Sequence, residues 1–337
     1  MTVVSPKVSI LMPVRNEAVY LQAALDSIVC QTLPDWELIV VDDGSTDYTP
    51  DILARAAGND QRIRVITRPG DGLVAALNKG LTHCTAPLLA RMDGDDVSHP
   101  RRLERQVVFL ENNLAIGLVA CNFRHFPRKN LKQGMRSYES WQNGLSDHEL
   151  IVQDCFVESP FVHPSIMMRR ELIVRAGGYR DFDWPEDYDL WLRLVQMGVK
   201  FARLPETLFF WRDHPERATR VMHEYADTSF RSCKLHHLLS GYLADSKHVI
   251  IAGAAQEGRA WQRILVAAGI DVSAWIDVDK NRIGGTLHGA PVYGIDRLNS
   301  VDDKILVAIG VHGARKQFRT LAARTGLKEG LDFICVS

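Results

Sequence analysis

Residues 8–47 read VSILMPVRNEAVYLQAALDSIVCQTLPDWELIVVDDGSTD. VSILMPV (8–14) is an unbroken apolar run, the pattern of a strand buried on both faces. From Glu17 to Cys30 apolar residues recur at 21, 24, 25, 28 and 29, which is helical spacing. WELIVVDD (36–43) is a second buried strand, stopped by Gly44-Ser45. The same rhythm continues outward. The spacing predicts a helix over 49–57, a strand over 62–68, a helix over 73–81, a strand LLARM over 88–92 and a helix over 100–110. Strand–helix alternation with continuous apolar strands implies an α/β fold, a mostly parallel sheet flanked by helices. In such sheets ligands sit at the carboxyl ends of the strands.

Residues 122–160 break the rhythm and are expected to form a long functional loop or lid that selects the acceptor. A strand is expected over 161–168, a helix over 185–197, and one or two strands over 199–212. Residues 216–243 read as helix. A second alternation starts at HVIIAGAAQEGRAW (248–261), with strands at 271–279 and 304–310 and a helix near 313–325. The expected domains are 1–215, a helical connector 216–245, and a smaller Rossmann-like α/β domain 246–337.

Composition bounds the function. The chain has 337 residues, a net charge of −1 and 46% hydrophobic residues. Near-neutral charge gives no general reason to expect nucleic-acid binding. Six cysteines are scattered without a C-x-x-C pair, which fits reduced thiols in a cytoplasmic protein. No signal peptide and no apolar run of about 18 residues is present, so membrane contact is expected to be peripheral at most, at the inner face.

Acidic clusters end the strands. Asp93, Asp95 and Asp96 follow the fourth strand within MDGDD. Carboxylates this close repel unless a cation offsets them, and Mg²⁺ or Mn²⁺ with oxygen ligands suits them. The alternative is a solvated acidic loop, with Asp96 or Ser98 capping the next helix. Asp42 and Asp43 end the second strand, where a carboxylate can accept from a base or ribose, or simply shape a turn. WPEDYDLWLRL (184–194) opens a helix with Glu186 and Asp187. Asp187 shares a face with Trp191, Leu194 and Gly198, whereas Asp189, Arg193 and Gln196 are expected on the polar face. An inward carboxylate is either a structural cap or a general base. Pro13, Arg15 and Glu17 sit where the first strand meets its helix. RPGDGLVAALNKG (68–80) opens a helix with glycines whose N–H groups could face an anion.

Together, KVSILMPVRNE, ELIVVDDGSTD, GLVAALNKG, ARMDGDD and PEDYDLWLRL resemble the family 2 inverting glycosyltransferases with the GT-A fold, over about residues 6–215. The resemblance implies transfer of one sugar, with inversion, from a nucleoside-diphosphate sugar to a hydroxyl acceptor such as a saccharide or glycolipid. The setting it implies is bacterial-type surface polysaccharide or glycoconjugate synthesis. It places Pro13, Arg15, Glu17, Asp42, Asp43, Gly72, Asn78, Arg91 and Asp93 around the nucleotide sugar. It also implies that Asp95, Asp93 and His214 would hold Mn²⁺ or Mg²⁺, that Asp187 would be the base beside Glu186, and that His163 and Trp184 would lie towards the acceptor. The Q-x-x-R-W motif and transmembrane helices of processive synthases are missing; the comparable region reads LFFWRDHPE.

Two other enzyme classes remain open. A nucleotidyltransferase would favour a Gly-rich phosphate loop after the first strand, where this chain has PVRNE. An NAD-dependent sugar oxidoreductase would act through the C-terminal domain. There Gly253 and Gly258 in GAAQEG, with Asp277 after the next strand, resemble a dinucleotide fingerprint with Ala255 in the middle. The same segment is similar to the nucleotide-sugar-binding unit of certain sugar acyltransferases. A purely structural or oligomerising role is the third option.

Overall fold

The computed structural model describes residues 5–129, 131–300, 303–311 and 313–337, without the side chains at 218, 299 and 300. The chain forms two compact units: Met1–Ile151 with Pro160–Tyr225, and Val152–Ser159 with Ala226–Ser337. Residues 216–225 thus group with the first unit and 226–245 with the second.

The first unit follows the expected alternation: β1 (Val8–Val14), α1 (Leu21–Val29), β2 (Trp36–Asp43), α2 (Thr49–Asn59), β3 (Ile63–Arg68), α3 (Leu73–Leu81), β4 (Leu88–Arg91), β5 (Val97–Ser98) and α4 (Arg102–Asn112). It continues with β6 (Ile116–Phe126), α5 (Gln133–Asn143), α6 (His148–Asp154, of which residues 152–154 group with the second unit), β7 (Ile166–Arg169), α7 (Arg170–Arg175), α8 (Glu186–Gln196), β8 (Lys200–Arg212) and α9 (Ala218–Val221). The sheet order is β3-β2-β1-β4-β7-β6-β8-β5. β3, β2, β1 and β4 run parallel, whereas β7 is antiparallel to both β4 and β6. Every residue of β1 and β2 is buried. Val8, Ile10 and Met12 share a core with Leu21, Leu25 and Ile28 of α1 and with Leu103 and Val107 of α4. On the opposite face Leu11 lies so close to Gly80 of α3 that a Cβ there would come within 2.2 Å of it.

Register aligns the carboxyl ends. Val14 pairs with Asp42, and Leu11 with Arg91. The loops after β1, β2 and β4 therefore leave from one edge.

Three local expectations are corrected. Residues 122–160 are not one lid: they hold the end of β6 and helices α5 and α6. Tyr138 of α5 packs on Phe123 and Trp211, so the aromatic residues of this segment are anchors. The strand at 161–168 shrinks to β7, because His163–Ser165 forms a 3₁₀ turn around Pro164. And α8 has no polar face over Asp189 and Arg193. Both are buried and paired at 2.7 Å, with Arg193 Nη1 donating to Ala176 O at 2.6 Å. Periodicity finds a polar stripe but not what packs against it.

The second unit comprises α10 (Asp227–Leu239), β9 (His248–Ala252), α11 (Gln256–Ala267), β10 (Asp271–Ile276), β11 (Thr286–Leu287), β12 (Ala290–Tyr293), β13 (Ile305–Val307), α12 (Ala314–Arg324) and β14 (Phe333–Cys335). Its sheet runs β11-β12-β10-β9-β13-β14, parallel apart from the β11–β12 hairpin. Short strands β11, β12 and β14 escape the sequence pattern. Trp261 and Leu265 of α11 pack with Val249, Ile251 and Trp275 in its core. No helix among the described residues is long and apolar enough to cross a membrane.

Candidate active site

The acidic loop after β4 is a built cluster. Carboxylate oxygens of Asp93, Asp95 and Asp96 all lie within 4.8 Å of one another, and Asp95 and Asp96 are buried. Gly94 is required between them: a Cβ there would sit 2.8 Å from Val14 Cγ1 and 3.2 Å from Glu17 Cγ. Neither Asp96 nor Ser98 caps the next helix, whose N-cap Arg101 has no side-chain bond. Asp96 Oδ1 instead accepts from Arg212 N at 2.7 Å, and Arg212 Nε donates to Asp95 O at 2.6 Å. His214 Nε2 lies 2.8 Å from Asp95 Oδ2. The end of β8 therefore clamps the loop.

Burial and mutual repulsion set the charges. Burial, then Asp93, raises the Asp95 carboxyl; burial, then Asp95 and Asp93, raises Asp96 well above the carboxylate range. Glu17 is pushed up to about 8 by burial, then Asp95 and Asp93. Asp96 Oδ2 is buried and bonded to nothing among the described residues. Crowded hard oxygen donors that resist ionising together fit a divalent cation. Asp93, Asp95 and Asp96 could hold one, with His214 alongside.

Arg91 links this cluster to α8. It is 4% exposed, and its Nη1 lies 2.6 Å from Asp93 Oδ1. Its charge, like that of Asp93, acts on Asp187. At the start of α8, Glu186 Oε2 accepts from the Tyr225 hydroxyl at 2.9 Å, and Glu186 Oε1 lies 3.5 Å from His163 Nδ1. His163 Nε2 lies 2.9 Å from the Tyr179 hydroxyl. Burial, then Arg91, holds His163 below its ordinary value. Burial opposes ionisation of Glu186, but the bonds from His163 and Tyr225 outweigh it and hold the carboxyl low. Asp187 is the opposite case. Burial, then the neighbouring Glu186 charge, raises it well above the carboxylate range. Adjacent carboxyls are thus driven apart, one held ionised and the other made more basic.

The donor-side residues divide into two groups. Asp43 Oδ1 and Oδ2 accept from the backbone N–H of Asp71 and Gly72 at 3.0 and 2.8 Å, and Asp42 Oδ1 accepts from Ser45 N at 3.0 Å. These carboxylates shape their loops and keep second lone pairs for a ligand. Gly72 has φ +97°. Asn78 is spent on Tyr179: its Nδ2 donates to Tyr179 O at 2.8 Å, and its Oδ1 accepts from Tyr179 N at 2.9 Å. Pro13 is buried in β1, opposite Val41. Arg15 is exposed. Trp184 is half-buried against Phe182, with ring centroids 4.6 Å apart.

Tyr179 and Tyr225 carry much of this geometry without having been singled out by sequence reasoning, whereas Arg212 stands beside His214 in LFFWRDHPE. The two tyrosines' neighbours in the chain show no motif; only the fold brings them to the acids.

The fingerprint in the second unit is accounted for by packing. A Cβ on Gly253 (φ +105°) would come within 2.5 Å of Ala308 O, and one on Gly258 within 1.8 Å of Gly253 O. Asp277 accepts from Ala254 N at 2.9 Å, from Val278 N at 2.7 Å, from Asp279 N at 2.9 Å and from Arg282 Nη1 at 2.9 Å. A carboxylate so occupied is poorly placed to take ribose hydroxyls as well.

The family profile described as Glycosyl transferase family 2 matches residues 9–176. EpsE of Bacillus subtilis, which carries a glycosyltransferase name, is 34% identical over 257 residues, covering 73% of this chain and 89% of its own. The O-antigen biosynthesis glycosyltransferase WbnJ of Escherichia coli is 29% identical over 251 residues, covering 72% and 94%. Among solved structures, Staphylococcus aureus TarS 1–349 in complex with UDP-GlcNAc aligns with TM-score 0.56 at 16% identity, over 69% of this chain and 66% of that one. The mannosyltransferase PcManGT of Pyrobaculum calidifontis, in complex with GDP-Man and Mn²⁺, aligns with TM-score 0.50 at 22% identity, over 79% and 70%.

Proposed function

This chain belongs to glycosyl transferase family 2, and we propose that it moves one sugar at a time, with inversion, from a nucleoside-diphosphate sugar to a hydroxyl of a saccharide or glycolipid acceptor. The observation that carries this reading is the Arg91 link, which sets the Asp93–Asp95–Asp96 cluster and the Glu186–Asp187 pair in one electrostatic field. Inverting displacement needs two such groups, one for the leaving diphosphate and one for the nucleophile's proton.

In the proposed step the acceptor hydroxyl attacks the anomeric carbon while Asp187 takes its proton. The bond to the diphosphate oxygen breaks, and the electron pair leaves with the nucleoside diphosphate. Glu186, fixed by Tyr225 and His163, keeps Asp187 basic and in place. Pro13, Arg15, Glu17, Asp42, Asp43 and Gly72 lie around the donor, with Asp43 holding the loop before α3. A divalent cation on Asp93 and Asp95, beside His214, would offset the charge gained by the departing diphosphate. His163 and Trp184 face the acceptor side. A relative named for O-antigen biosynthesis supports a role in surface polysaccharide assembly.

The test is transfer and donor hydrolysis over a panel of nucleotide sugars with Mn²⁺, comparing wild type with Asp187→Asn and Asp95→Ala. Undiminished turnover in both variants rules the mechanism out.

A further inference from the structure

The second unit contains a cavity of about 320 Å³ that sugar transfer does not use. It lies beside Gly310, which follows β13, and beside Glu257 and Trp261 of α11, which follows β9. β9 and β13 are sheet neighbours, and the chain leaves β9 towards β10 on one side but β13 towards β14 on the other. This is the topological switch point, where open α/β sheets take ligands outside the carboxyl ends of their strands. The volume is near the lower end of the range for ligand pockets, about 300–1,000 Å³. It suits a small phosphorylated molecule better than a dinucleotide.

A buried cation lines this cavity. Lys234 of α10 is 7% exposed, and its Nζ donates to Val157 O at 2.7 Å and Val336 O at 3.1 Å. Both acceptors are neutral, and among the described residues no carboxylate bonds to this ammonium. One of its three N–H groups is left over. Burial disfavours the ammonium more than the nearby Glu158 and Glu257 charges favour it, and an anion bonded to it would offset that cost. The other cation, Arg231, is already matched, 3.2 Å from Glu257. The first turn of α11 lacks a side-chain cap, so its N–H groups add positive potential on the same side.

Two further carboxylates, Glu158 and Asp227, also line the cavity. They repel a bare anion but accept hydrogen bonds from hydroxyls. We infer that this crevice is a second small-molecule site, taking a hydroxyl-rich phosphate of sugar-phosphate size, with the phosphate on Lys234 and the first turn of α11 and the hydroxyls on Glu158 and Asp227. The site is distinct from Gly253, Gly258 and Asp277, whose roles are in packing, and it does not depend on the transfer mechanism.

The experiment is hydrogen–deuterium exchange on the full chain with glucose 1-phosphate, glucose 6-phosphate, ribose 5-phosphate, inorganic phosphate or glucose. Saturable protection confined to residues 226–239 and 256–262 is expected with at least one sugar phosphate, weaker with inorganic phosphate and absent with glucose. Residues 36–47, on the donor side, serve as the internal control. Lys234→Met is expected to raise the dissociation constant ~10-fold or more, and Glu158→Gln to weaken sugar phosphates while sparing inorganic phosphate. Absence of protection with all three sugar phosphates overturns the site, as does protection unchanged in Lys234→Met. Equal affinity for inorganic phosphate, untouched by Glu158→Gln, overturns the assignment of a hydroxyl-rich ligand. If Lys234→Met does not fold, the Glu158→Gln and inorganic-phosphate arms still decide.

Discussion

His214 holds its Nε2 2.8 Å from Oδ2 of Asp95, joining the end of β8 to the loop after β4 across most of the first unit's sequence. The contact orients the carboxylate most central to the acidic cluster. A partner that orients a metal ligand typically contributes ~10–100-fold to metal affinity. His214→Ala is therefore expected to raise the Mn²⁺ concentration for half-maximal transfer by about that factor. A metal titration of activity checks it; an unchanged midpoint removes His214 from the site.

Asp187 is expected to act on the chemical step rather than on donor binding. Asp187→Asn should lower kcat by ~10²–10⁴ and leave the affinity for the nucleoside diphosphate within twofold (~0.4 kcal/mol). Single-turnover kinetics with calorimetry separate the two.

The pH profile follows from the Glu186–Asp187 pair. A base must be ionised, so kcat falls as pH drops through the Asp187 pKa. Burial and the Glu186 charge place that value above the ordinary carboxylate range. Glu186→Gln removes the neighbouring charge, so the acid limb of the kcat profile should move to lower pH even as kcat itself declines.

Glu17 makes a stability prediction. Its carboxyl is near 8 when folded, against an unfolded value of 4.5. The unfolded chain therefore gives up this proton first as pH rises, and Glu17 increasingly disfavours the folded state between pH 4.5 and 8. Metal-free Glu17→Gln should melt higher than wild type at pH 8 and equally at pH 4. Mn²⁺ should shrink the gap, because it offsets the Asp95 and Asp93 charges that add to the shift.

Arg193 tests the buried pair on α8. Arg193→Met removes the guanidinium 2.7 Å from the buried Asp189 carboxylate, and breaking such a pair costs ~3–5 kcal/mol. Urea unfolding followed by near-ultraviolet circular dichroism should show this loss for the first unit. A change of a few tenths of a kcal/mol (~0.5 or less) would mean that the pair is effectively at the surface.

Much of the first unit was legible because its signals are local. β1 and β2 are runs of apolar residues, α1 and α3 repeat with helical period, and the acids of MDGDD come directly after the apolar run of β4. Asp43, Asp95, Glu186 and Asp187 were recognisable as acids at the ends of elements. Residues 122–160 misled because their polar composition hides the few aromatic anchors that fold them into α5 and α6.

Over the first 110 residues local pattern alone could set the order of strands and helices, the shared edge of β1, β2 and β4, and which acids end on it. Tertiary structure decided what those acids are. The fold sets the Arg91–Asp93 pair in the electrostatic field of Asp187, Tyr225 arrives at Glu186 from beyond β8, and Asp189 turns out to be buried while Asp277 is taken up by backbone N–H groups and Arg282. The physical reason is that a carboxylate's charge depends on its desolvation and its neighbours. Both are properties of the packed chain, and neither is written in the spacing of its residues.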